Sequence, residues 1–499
     1  MRNRKLTALA TIIGLIVLST VTYTQTRTER PTTLQGFYQQ SLNWQQCYSN
    51  YQCADLLVPI DYSNISTGTF EIAVLKYQAF DQKNRIGSLV VNPGGPGASG
   101  VDYAYAAEYL FSPNILERYD VVGFDPRGVA RSEPIKCLDD AETDAAIASD
   151  SHPDNNEEFK QALIDSRDFM QKCKEKNEHL TAFTTENAAR DMDILRQALG
   201  DKELNFLGKS YGTYLGTLYA RLFPTKVGRM VLDGAVDPNI STYQQSLAQA
   251  VGFDTALNAF IKDCATRESC PLASRKEAAL TEIKSLFAKA KQSPLPRKKG
   301  KDGDDRLATE SLLVVGTASA LYDSETGWPQ LRKAIAEAQR GFGDTYLKLA
   351  DEYSGRQRNG KYLNNEFDSG AVIDCLDFKD ARTLKQVKEN ESVFTKAAPI
   401  FGPYLAFSGI NCNYIAKSPT TKHFKEIETT NPIIVIGTTR DPATPYKWAQ
   451  GLHEILTNST LISLDGDGHT AQGRGIPCVD DQVDAFYLDN KLPKTSTCN

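Results

Sequence analysis

The sequence predicts an α/β protein built on a mostly parallel central sheet, with helices on both faces and an inserted, mainly helical cap. Three observations carry this expectation. Short, almost uninterrupted apolar runs recur along the chain, as strands buried on both faces require. Segments of helical period lie between them, and that alternation is the pattern of a parallel sheet with crossover helices. Between Asn239 and Thr430 the strand-like runs nearly vanish and helix-like stretches dominate.

The elements follow in chain order. After a polar leader to about residue 40, Asp55–Tyr62 and Phe70–Lys76 read as β segments, the second alternating apolar and polar as a half-buried strand does. The buried-strand runs are Ser88–Val91, Tyr119–Phe124, Leu204–Leu207, Met230–Leu232, Pro432–Ile436 and Leu461–Leu464, each bounded by Gly, Asp or Pro. Thr185–Leu199 has a helical period and stops at Gly200, a residue free to take the left-handed conformation that ends helices. The expected organisation is an export segment over residues 1–30, a first core part over 40–238, a cap over 239–430 and a second core part over 431–499. The tract Ser293–Asp305, rich in Pro, Gly and charge, reads as an excursion within the cap.

Composition excludes several classes. With 41% hydrophobic and 24% charged residues, the 499-residue chain is neither disordered nor a multi-span membrane protein. A net charge of −6 provides no basic field for nucleic acid. Arg2, Arg4 and Lys5 precede an apolar stretch from Leu6 to Val21, the order of an export signal. The end of that stretch has no clean small-x-small cleavage site, so an uncleaved N-terminal anchor stays open as the one route to a membrane. The expected location is secreted or periplasmic. Ten cysteines fit an oxidising compartment, and the simplest pairing is five nearest-neighbour bridges. No Cys or His spacing suits a metal, and neither a metal nor a cofactor is expected.

The sharpest chemical signal is Gly208-Lys209-Ser210-Tyr211-Gly212, a G-x-S-x-G between a strand-like and a helix-like segment. A strand turning sharply into a helix leaves no room for side chains beside the turn and lifts the serine hydroxyl above the sheet. Ser210 is therefore the candidate nucleophile. A serine hydroxyl needs a base that a third group holds. Of five histidines, His469 alone follows a strand-like run on a loop, in Asp465-Gly-Asp-Gly-His-Thr470. Asp441, after the run Pro432–Ile436, is the candidate acid; Asp233, after Met230–Leu232, is its rival. The order Ser, Asp, His matches that of α/β-hydrolases rather than of chymotrypsin or subtilisin folds. Asn92-Pro-Gly-Gly-Pro-Gly97 supplies an unobstructed turn after a strand, and the amides of Gly95 and Tyr211 are the candidate oxyanion donors, with Gly94 the alternative to Gly95.

Together these motifs resemble the proline iminopeptidase and tripeptidyl aminopeptidase branch of the α/β-hydrolases. The likeness rests on Asn92–Gly97, Gly123-Phe-Asp-Pro-Arg-Gly128 with Arg131-Ser132, Gly208–Gly212, Asp441–Pro445, Gly468-His469 and the tail from Cys478 to Cys498. Pro93 stands where the iminopeptidases often carry His, as in the secreted tripeptidyl subgroup. The resemblance implies an α/β-hydrolase fold and hydrolysis of short peptides from the N-terminus. Peptide substrates are the expected partners, and the oligomeric state is not legible. An exopeptidase must also hold a free α-ammonium group. Asp374 and Asp377, flanking Cys375, are candidates, or else surface carboxylates beside a disulfide with no such role. A carboxylesterase using the same three residues remains the alternative enzyme, and a non-catalytic binding protein on this scaffold the alternative of another class.

Overall fold

The computed structural model describes residues 30–298, 304–378, 382–415 and 423–499. The expected export segment lies outside the described residues, as do residues 299–303 of the Ser293–Asp305 tract. Ten strands form one sheet: β1 (Gln45–Tyr48), β2 (Tyr51–Pro59), β3 (Thr69–Tyr77), β4 (Gly87–Asn92), β5 (Tyr119–Phe124), β6 (Leu204–Lys209), β7 (Val227–Asp233), β8 (Ile433–Arg440), β9 (Ser459–Asp467) and β10 (Thr497–Cys498). Their spatial order is β1-β2-β3-β5-β4-β6-β7-β8-β9-β10. The first three strands are antiparallel and join the sheet through β3 and β5; from β5 to β10 every pairing is parallel. The fold is that of the α/β-hydrolases.

Each predicted buried run is a strand, and the reason is visible in burial. All six residues of β4 and all six of β5 are buried, so their side chains meet helices on both faces. Helix Thr185–Ala198 ends beside Gly200, whose φ of 79° is the left-handed closing residue. Among the described residues no helix is long and apolar enough to cross a membrane.

Between β7 and β8 the chain is helical, with Thr242–Cys264, Lys276–Gln292, Glu310–Leu321, Gly327–Gln339 and Asp344–Ser354 around a second apolar core that includes Phe260, Leu313, Leu331 and Tyr346. Helix Glu366–Asp377 behaves differently. Its Val372, Ile373 and Leu376 pack into the main core with the sheet. Asn365, just before it, accepts from Ala130 N–H and donates to the Gly128 and Ile135 carbonyls, while Asp368 accepts from Cys137 and Leu138 N–H. This helix is thus fastened to the sheet layer rather than to the second apolar core.

The five bridges join Cys47–Cys53, Cys137–Cys173, Cys264–Cys270, Cys375–Cys412 and Cys478–Cys498, each cysteine to its nearest neighbour in the chain. Beneath the sheet edge, Arg127 forms a bidentate pair with Asp191 at 2.6 and 2.7 Å, both side chains 1% exposed. The guanidinium also donates to the carbonyls of Pro59, Ile60 and Ala182, joining the end of β2 to helix Thr185–Ala198. Removing one partner strands a buried charge. Asp191→Ala is expected to cost about 3–5 kcal/mol of unfolding free energy, read as a fall in the denaturant midpoint; a loss under about 1 kcal/mol would refute this account.

Candidate active site

The nucleophile turn follows from close packing. Ser210 follows β6 at φ 55°, ψ −124°, a backbone region that side-chain-bearing residues rarely enter. The turn is so tight that a Cβ on Gly208 would lie 2.3 Å from the Gly212 carbonyl oxygen. Ser210 N–H donates to the Asp233 carbonyl at 2.9 Å, which fixes the turn against the end of β7. Helix Tyr211–Leu222 starts at the next residue.

The structure brings Asp441 and His469 together. His469 Nδ1 lies 2.9 Å from both carboxylate oxygens of Asp441. Asp441 is 2% exposed and also accepts from the amides of Ala443, Thr444 and Thr470 and from the Thr444 hydroxyl. These donors fix the orientation of the carboxylate towards the imidazole. The imidazole also lies beside the end of β7: a Cβ on Gly234, next after the Asp233 carbonyl that holds Ser210, would stand 3.3 Å from His469 Cε1. Asp233 takes no part in that pairing; its carboxylate accepts from Ala471 and Gln472 N–H at 2.8–3.0 Å.

The glycine turn lies against the serine. A Cβ on Gly94 would meet the Lys209 carbonyl at 2.6 Å, Ser210 Cβ at 2.9 Å and Tyr211 N at 3.2 Å. Gly94 N–H is already donated to Asn92 Oδ1 at 3.0 Å. The Gly95 and Tyr211 amides have no acceptor among the described residues, so of the two glycines Gly95 is the one with a donor to offer. Buried Asp125 anchors the far end of this turn, accepting from the Ser99 hydroxyl and from Val101 and Arg131 N–H. Sequence reasoning used the Asp125-containing motif only as a resemblance, without this role.

Other neighbours carried no sequence signal. Tyr322, at the end of helix Glu310–Leu321, accepts His469 N–H through its carbonyl at 2.8 Å and sets its ring edge-on to the imidazole at 5.0 Å. Its hydroxyl lies 3.3 Å from that of Tyr353. Glu366 is half-buried, and its carboxylate has no hydrogen-bond partner among the described residues; its Oε1 would lie 3.3 Å from a Cβ on Gly95. Burial alone pushes the Glu366 carboxyl up to about 7.

Asp374 and Asp377 lie further along the same helix. Asp377 is buried and committed, accepting Thr185 N–H at 2.9 Å and the Thr185 hydroxyl, which in turn meets the Tyr211 hydroxyl. Asp374 is half-buried, and its carboxylate has no hydrogen-bond partner among the described residues. Burial pushes both carboxyls up to about 7; the Asp377 charge adds to this at Asp374, and the Thr185 donors oppose it at Asp377. Both charges act on the hydroxyls of Tyr211 and Tyr214.

A nucleophilic hydroxyl on a strained turn, an imidazole oriented by a buried carboxylate and two uncommitted amides can together form and resolve an acyl-enzyme. A family model described as the alpha/beta hydrolase fold matches residues 87–475. The chain is 36% identical over 473 residues to the serine protease Hip1 of Mycobacterium tuberculosis, covering 91% of this chain and 90% of that protein. It is 37% identical over 459 residues to carboxylesterase B of the same organism, covering 89% and 85%. To the tripeptidyl aminopeptidase of Streptomyces coelicolor it is 30% identical over 462 residues, covering 90% and 84%.

Proposed function

The chain belongs to the α/β-hydrolase family, in the branch that holds these three relatives, and from that premise we propose that it is an exported serine peptidase releasing tripeptides from the N-terminus of peptides. Its enzymatic class, serine hydrolase, is common to the relatives. In this reading Ser210 attacks the scissile carbonyl, His469 takes its proton and passes it to the leaving amine, and Asp441 holds the imidazole. Gly95 and Tyr211 N–H receive the oxyanion, and water then frees the acyl group. Five disulfides support export, since such bonds persist in oxidising compartments.

The observation that carries the exopeptidase part is the uncommitted carboxylate of Asp374. Helix Glu366–Asp377 begins beside the Gly95 turn, and Asp374 follows Glu366 by eight residues, about 12 Å at the helical rise. Three extended residues span about 10 Å. A peptide whose third carbonyl sits at the Gly95 and Tyr211 amides would bring its α-ammonium group to Asp374, where an unpaired, partly desolvated carboxylate gains most from a cation.

The test is hydrolysis of chromogenic amides carrying one, two or three residues, each with a free or an acetylated N-terminus, beside a short-chain ester. Cleavage restricted to free-amine tripeptide amides supports the proposal. Ester turnover without amide cleavage would replace it with the carboxylesterase reading that the 37% identical relative favours. Asp374→Asn is expected to raise KM for the free-amine tripeptide at least about tenfold, the usual size of one lost charge-assisted contact, while leaving kcat close to wild type. Because the Asp374 carboxyl lies near 7, wild-type KM should climb as the pH falls below that value, and the variant should lose this dependence. An unchanged KM profile would remove Asp374 from the proposal.

A further inference from the structure

The lysine of the G-x-S-x-G motif and the aspartate that rivals Asp441 belong to one buried assembly. Asp233 has no exposed surface and Lys209 only 11% of its side chain. Lys209 Nζ lies 3.9 Å from Asp233 Oδ2 and donates to the Gln472 carbonyl. Asp233 Oδ1 and Oδ2 accept from Ala471 N–H, and Oδ2 also from Gln472 N–H. The backbone carbonyl of Asp233 accepts from Ser210 N–H. Lys209, before the nucleophile, and Asp233, whose carbonyl holds the nucleophile turn, thus both bond to the segment that leaves His469. The preceding side of that loop is held by the Tyr322 carbonyl at His469 N–H, so the imidazole is clamped fore and aft. Thr470, between the two clamps, sits at φ 63°, a strained conformation that persists only where its surroundings enforce it.

We propose that Lys209 and Asp233 are positioning residues: an ion pair that ties the nucleophile turn to the histidine loop and sets the approach of the imidazole to the Ser210 hydroxyl. The proposal rests on the serine-hydrolase class and not on tripeptide release. It requires both charges. The charge makes Asp233 the stronger acceptor for the two amides, and the Lys209 cation offsets the cost of burying that anion. Among the described residues, the titratable and charged groups near the imidazole and this pair include Asp441 after β8, Tyr322 and Tyr353 from the segment between β7 and β8, Glu366 at the Gly95 turn, Tyr103 facing Lys209, and Arg474 and the Asp467–Arg440 pair at its own loop. Removing Asp233 or Lys209 alters the charge near the imidazole by one unit in opposite directions.

The measurement is the pH profile of kcat and kcat/KM for Asp233→Asn, Lys209→Met and the double variant, on whichever of the peptide amide or ester the enzyme turns over. Each single variant is expected to lose roughly 10- to 100-fold in kcat with KM within about twofold, the effect of a small misplacement of a catalytic base. An anion favours the imidazolium form and a cation opposes it. The acid limb of kcat/KM should therefore move to lower pH in Asp233→Asn and to higher pH in Lys209→Met, each by about half a unit or more, and return towards wild type in the double variant. Lys209→Arg, which keeps the charge, should leave the limb in place. Loss of activity with unmoved limbs, in proportion to a lowered Tm, would mean that the pair only holds the fold and would overturn the proposal; wild-type kcat in both single variants would do the same. Should Asp233→Asn fail to fold, the alkaline shift in Lys209→Met decides alone.

Discussion

Ser210→Ala is expected to reduce kcat by about 10⁶-fold on amide and ester alike, because a serine nucleophile and its base act as a unit and little remains once either is gone. The fold should be indifferent to the change. Ser210 already carries a Cβ at φ 55°, and alanine presents the same Cβ to the Gly94 turn, so no new contact and no new strain arise. The hydroxyl also caps nothing: helix Tyr211–Leu222 starts without a side-chain hydrogen bond from Ser210. Thermal unfolding of the variant should coincide with wild type. Retention of more than about 1% of kcat with an unaltered Tm would place the nucleophile elsewhere. The variant would also bind the free-amine tripeptide without cleaving it, which lets affinity be measured apart from turnover.

Asp441→Asn is expected to cost about 10⁴-fold in kcat, through the tautomer it imposes on His469. The carboxylate accepts from the Ala443, Thr444 and Thr470 amides as well as from the ring. Asparagine offers a single oxygen. If that oxygen stays with the backbone amides, the side-chain NH₂ faces Nδ1, the ring must accept there, and its proton moves to Nε2, where it cannot serve as base. The variant should also lose about 1–3 kcal/mol of stability for the buried amide left without a partner, so its kinetics are to be read well below its melting temperature. Comparison with Asp233→Asn separates the two aspartates. A larger kinetic loss in Asp233→Asn than in Asp441→Asn would transfer the acid role.

The sheet was legible because parallel strands buried on both faces leave apolar runs such as Leu204–Leu207 and Pro432–Ile436 that no solvent-facing element needs. The residues of the two turns were legible because their geometry demands particular types: glycine beside Ser210, where a Cβ would strike backbone, and Asp and His at the ends of successive strands. Glu366 and Tyr322 were hidden. Each lies in a helical stretch where its spacing serves packing, and only the fold of the segment between β7 and β8 over the strand ends gives it a neighbour at the site. Asp233 was visible but misdirected attention. Its position at a strand end suits an acid, and only the three-dimensional course of residues 471–472 shows what its carboxylate holds. The docking of helix Glu366–Asp377 onto the main core was equally unreadable, since an amphipathic period states that a face is buried and not against what.

The disulfides have a bearing on how such a chain could be made. Read from the N-terminus, the cysteines pair first with second, third with fourth, and so on to the last, at sequence separations of 6, 36, 6, 37 and 20. Protein chains are synthesised from that end. A thiol oxidase meeting this one as it emerges would find at most one unpaired cysteine at a time. Joining each newcomer to the one waiting would complete the native set, with no wrong bridge to undo and no isomerase in the pathway.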